Sequence, residues 1–162
     1  FAQAIDDEKK EQEVKMEQTE RQRTEEKIQW LSRYRKALRR QQILDMDLEQ
    51  ARGMVLCHAS PMDGMPRASG HSDKTGRAAE RLMRAETRCA AAAADAHRIR
   101  SEVQWSISTV FDPTQRELLR RRYLLGQTLT EISEQMHLEY RWVRRLHRKA
   151  VLRAVTELPP AS

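Results

Sequence analysis

The chain has 162 residues, 30 of them Lys or Arg and 24 Asp or Glu, which leaves a net charge of +6. Aromatic residues make up 5% and charged residues 33%, a balance that suits long helices and leaves little material for a sheet-based enzyme core. No apolar run is long enough to cross a membrane, and two cysteines, Cys57 and Cys89, do not make a disulfide framework, so reduced thiols are expected.

Residues 1–29 are nearly all charged or amide side chains, with only Ile5, Val14, Met16 and Ile28 able to pack. Nine acids stand against six bases there. Glu/Lys pairing at helical spacing can sustain a solvated helix, but nothing in the segment builds a core. A charged helical or disordered extension is expected.

From Trp30 onward, apolar or neutral residues recur at alternating intervals of four and three: Trp30, Tyr34, Ala37, Gln41, Leu44, Leu48, Ala51, Val55. Leu31 and Leu38 widen that stripe. The stretch SPMDGMPRASGHSD, Ser60–Asp73, breaks the pattern with Pro, Gly, Ser and Asp, which predicts a loop over 59–73. A second helix is predicted from about Lys74 to Val110, with Asp73 as its N-cap. Its seam is Leu82, Ala85, Cys89, Ala92, Ala96, Ile99, Val103, Ile107 and Val110. Two seams joined by one loop predict an antiparallel helical hairpin over 30–110. Alanines 90–94 allow close helix approach, and surplus apolar surface would make a homodimer or higher homo-oligomer.

Residues 111–155 carry the strongest local signals, and 156–162 form a tail. Asp112 before Pro113 marks a helix start, because Asp caps free amides and Pro loses no needed N–H at the first helical position. Leu118, Leu119, Tyr123 and Leu124 form its apolar face, and Gly126 ends it. Thr128 with Glu131 matches the capping box of a second helix, in which Leu129, Ile132 and Met136 face inward. His137 and Leu138 supply a turn. A third helix follows, with Val143, Leu146, Ala150 and Trp142 on its apolar side. Between Pro113 and Arg153 lie ten Lys or Arg and four acids, an excess equal to that of the whole chain. A basic helix-turn-helix is the footprint of a double-stranded DNA reader, which gains by releasing counterions from the phosphates.

The start of a recognition helix points into the major groove, so Tyr140, Arg141, Arg144 and Arg145 are the candidates for base edges. Arg120, Arg121, Arg122, Thr128, Arg148 and Lys149 are the candidates for phosphates. Arg67, His71, Lys74 and Arg77 in and beside the loop form either a second contact or a plain connector. Cys57, His58, His71 and Cys89 lack the paired short intervals of a structural zinc site. His147 has arginine neighbours and no carboxylate at helical spacing to orient it as a base, so it reads as a packing position. No catalytic residues, cofactor or metal are expected, and no enzyme.

The segment RELLRRRYLLGQTLTEISEQM resembles region 4 of bacterial sigma factors, which reads the promoter −35 element with its last helix. The stretch from Trp30 to Leu152, through MPRASGHSDKT, RRYLLGQTLTEIS and YRWVRRLHRKAV, is similar to phage transcriptional regulators of the RinA/ArpU type. That resemblance implies an all-α regulator of phage or prophage transcription, expected to activate, in the bacterial host cytoplasm, with RNA polymerase as a second partner. Glu139, where many sigma-like recognition helices carry a Ser or Thr cap, and the bulky Tyr140-Arg141-Trp142 entry depart from the sigma pattern. The site read is therefore expected to be its own. Two other readings stay open: the DNA-recognition small subunit of a phage packaging terminase, and a polymerase-binding module without DNA binding.

Overall fold

The computed structural model describes residues 2–59 and 74–157, with side chains described from Met16 onward apart from Glu17, His58 and Ala59. The expected loop at 60–73, with its Asp73 cap, Arg67 and His71, and the end of the tail lie outside the described residues. Within them the protein is all-α. The helices are α1 (Ala2–Leu31), α2 (Arg33–Ala59), α3 (Lys74–Ser108), α4 (Pro113–Leu119), α5 (Leu129–Gln135) and α6 (Tyr140–Arg153), with a π-helical turn at Arg120–Leu125. No described helix is long and apolar enough to cross a membrane.

The first hairpin helix does not begin at Trp30. Helix α1 runs through that position to Leu31, and Ser32 makes a turn before α2, its amide donating to Ile28 O at 2.9 Å. Arg33 reinforces this bend from its side chain: its guanidinium lies 4.3 Å over the Trp30 ring and pairs with Glu102 at 2.7 Å.

Contacts divide the chain into two units, Lys36–Ile99 and the pair Phe1–Arg35 with Arg100–Ser162. In the first, α2 and α3 form the antiparallel hairpin around Leu48, Ala51 and Ala85, with Leu82 and Cys89 against them. The alternating seam is what packs. Ala85, Ala92 and Ala96 are buried on α3, whereas Ala90, Ala91 and Ala94 on its other faces are exposed. Cys89 donates its thiol to Asp45 Oδ1 at 2.7 Å. That bond, with desolvation, raises the thiol pKa, so Cys89 is a packed, protonated thiol. Both cysteines are free, and among the described residues no cluster of His, Cys, Asp and Glu could hold a metal ion.

The second unit holds the larger core. Leu31, Val103, Val110, Leu118, Leu119, Ile132, Val143, Ala150 and Val151 are at most 1% exposed. The hydroxyl of buried Ser106 finds no hydrogen-bond partner among the described residues. Helix α1 belongs to this unit: Thr24 is buried, Leu31 is fully buried, and Ile28 is half-buried between them on the same face. Thr24 can be buried because its hydroxyl donates to Glu20 O at 2.7 Å, leaving the methyl to pack. Lys27, on the same face, donates through Nζ to Leu152 O and Ala154 O, both at 2.7 Å. An ammonium is thus placed on the carbonyls at the C-terminal end of α6, where the helix dipole is negative. Desolvation lowers the Lys27 pKa, with Glu157 opposing. A segment expected to build no core therefore docks through its last two turns.

Candidate nucleic-acid interface

Local capping sets the three helices. Asp112 accepts from the amides of Thr114 at 2.9 Å and Gln115 at 3.4 Å, with Pro113 at the first helical position. The Gln115 side chain donates to Asp112 Oδ2 at 2.9 Å and accepts from Arg153 at 3.2 Å, which ties the start of α4 to the end of α6. Beyond Leu119 the helix widens into the π turn, a departure from the single regular helix read from the sequence. The turn closes at Gly126, whose φ of 77° puts it in the left-handed region, and Gln127 N donates to Arg121 O at 3.0 Å. A Cβ on Gly126 would also run into the Arg35 guanidinium.

Helix α5 opens on the expected capping box. Thr128 Oγ1 accepts from Glu131 N at 3.2 Å, and Glu131 Oε2 accepts from Thr128 N at 2.6 Å. Donation from the Thr128 amide, and from its hydroxyl at 2.9 Å, to that carboxylate holds the Glu131 carboxyl below its ordinary pKa. At the α5–α6 turn, Leu138 N donates to Ser133 O at 3.0 Å and His137 N to Glu134 O at 3.2 Å. This is a Schellman ending with His137, at φ 54°, in the position that favours glycine. The turn fixes where α6 starts. Glu139 is its N-cap, with no side-chain hydrogen bond to the free amides.

On α6, Val143, Leu146, Ala150 and Val151 face the core. At about 100° per residue, Arg141, Arg145 and Arg148 point away from that core, with Arg144 to one side and Lys149 to the other. All five are exposed, as is Tyr140. Trp142 is not on the apolar side: it is 48% exposed, because its position falls a quarter-turn from the buried line. The Arg145 guanidinium instead lies over its ring at 5.4 Å, a contact that orients the arginine.

Arg141, Arg144, Arg145 and Arg148 line one open cleft together with Arg21, Thr24, Glu25 and Ile28 of α1, Leu129 and Glu139. Tyr140 and Lys149 do not line it. The phosphate candidates before α5 are placed differently. Arg121 pairs with Glu117 at 2.7 Å and also bonds Gln135. Arg122 donates to Gln127 O at 2.9 Å. The Thr128 hydroxyl serves the capping box, and Arg120 lies in a separate groove with Arg100 and Arg116. Arg21 is no candidate from sequence, since it sits in a segment of mixed charge, and only the docking of α1 brings it to this cleft.

His147 packs as expected. Its Nε2 is 2.9 Å from the Tyr123 hydroxyl, and the two rings stack with centroids 5.8 Å apart. Burial, reinforced by the Arg122 charge, lowers its pKa to about 4, so the ring is neutral at pH 7. Burial also pushes the Tyr123 phenol up, keeping its proton for that bond.

Comparisons with curated proteins and with solved structures returned no match. Residues 110–153, about a quarter of the chain, match the family model Sigma-70, region 4, a helix-turn-helix domain associated with DNA binding.

Proposed function

We propose that the protein is a sequence-specific DNA-binding regulator of phage or prophage transcription, acting as an activator, with α6 as its recognition helix. The observation that carries this reading is the outward line Arg141, Arg145 and Arg148 on a helix whose opposite side is core, in a segment that matches Sigma-70 region 4. Arginine bonds guanine O6 and N7 together, so Arg141, Arg144 and Arg145, with Tyr140, are assigned to base edges. Arg148 and Lys149, later on α6, are assigned to phosphates. Arg120, Arg121, Arg122 and Thr128 are secondary candidates, since three of them hold structural bonds. Sigma-like modules also touch RNA polymerase, and we assign the same partner here. Exposed Ile43, Met46, Leu56 and Met83 support assembly of copies through the unit Lys36–Ile99.

Salt dependence is the test. Binding of the full chain to duplex DNA should fall linearly with salt on logarithmic axes, by a slope of about −0.9 per phosphate neutralised. Polymerase capture with no salt-dependent DNA binding would replace this reading with the polymerase-only module.

A further inference from the structure

We propose that α1 forms a second wall of the DNA interface, and that Arg21 holds a phosphate of the strand bordering the groove that α6 enters. The inference rests on the DNA-binding reading above. The cleft between α1 and α6 carries five guanidinium groups, those of Arg21, Arg141, Arg144, Arg145 and Arg148, against the carboxylates of Glu25 and Glu139. Its volume is about 800 Å³, and it is open to solvent. An open, net-positive cleft of this kind suits a polyanionic strand better than a neutral or cationic ligand.

Geometry selects the strand. The major groove is about 12 Å wide and admits one helix. A second helix packed beside the recognition helix therefore comes to lie over the sugar-phosphate ridge. Helix α1 is held there by the two Lys27 bonds to the end of α6 and by buried Leu31 and Thr24. Arg21 lies six residues before Lys27, about 9 Å along the same helix axis, so its backbone is positioned before any DNA arrives. The ordering cost of that contact is correspondingly small.

Arg21→Ala tests the assignment, because Arg21 is exposed and lies one turn before the buried Thr24. The unfolding temperature of the full-length variant is measured alongside, so that a loss of fold is told apart from a loss of binding. Its binding should weaken by one common factor on specific and random duplexes, and its salt slope should become shallower by about 0.9. Arg21→Glu should weaken binding further. Unchanged affinity and slope would overturn the inference while leaving the DNA-binding reading standing. Tighter binding would overturn it in favour of α1 as a cover over the arginines. A parent chain without salt-dependent DNA binding would overturn the functional reading, and this inference with it.

Discussion

His137 and His147 lie ten residues apart and are opposite in what holds them. His137 stands in a left-handed position that only the Schellman geometry demands, and an L side chain there costs about 1 kcal/mol relative to glycine. Replacing it, His137→Gly, should raise stability by up to about 1 kcal/mol in urea unfolding, offset in part by glycine's freedom in the unfolded chain. His147 is held by burial. The unfolded chain takes up this proton near pH 6.5 and the folded chain only near pH 4. Stability is therefore full above about 6.5 and falls as the pH drops toward 4, by up to about 1.4 kcal/mol per unit. Between pH 7.5 and 5 the loss attributable to this ring should be about 2 kcal/mol. Glu131, whose pKa is lowered, contributes stability that is lost only below the ordinary carboxylate range, outside that window. Urea unfolding of His147→Gln at both pH values should show that dependence removed; an unchanged slope would place the acid sensitivity elsewhere.

Single elements differ in how much of them could be read from sequence. The start of α4, the end of the π turn at Gly126 and the α5 capping box were legible because each answers a local need for hydrogen bonds by residues within a few positions. The two hairpin seams were legible for a related reason, the fit of apolar spacing to the helical repeat. The π turn was not, since no residue type in RRRYLL distinguishes it from ordinary helix. Trp142 was misplaced by hydrophobicity, where its angular position on α6 decides its exposure. Docking of α1 was hidden because its contact face, Thr24, Lys27, Ile28 and Leu31, has two aliphatic residues and depends on a lysine meeting carbonyls more than a hundred residues away. That dependence can be measured. Lys27→Met keeps much of the stem and removes both charge-assisted bonds, so it should destabilise the protein by about 1–3 kcal/mol. Loss of protection in amide exchange should concentrate in residues 18–31 and at the end of α6. A neutral effect would mean that Leu31 and Thr24 alone hold the helix.

Across the whole molecule, the charge excess of the chain is accounted for by Pro113–Arg153, and the exposed part of it lies mainly on α6. Burial on one side of α6 and arginines on the other are set by the same helix repeat, so the core and the proposed recognition surface use different residues of one element. This separation is why variants of the outward arginines should leave stability nearly unchanged while altering what is bound. The region 4 match covers the α4–α6 module. The most direct measurement is selection of duplexes from a randomised pool by the full-length protein, Arg141→Ala and Arg145→Ala. The parent should enrich a defined site, and each variant should lose discrimination at its own base pairs, with about 1–3 kcal/mol less affinity for the parent site. Enrichment of the same site with the same discrimination by all three proteins would contradict the assignment of α6 as the reading helix.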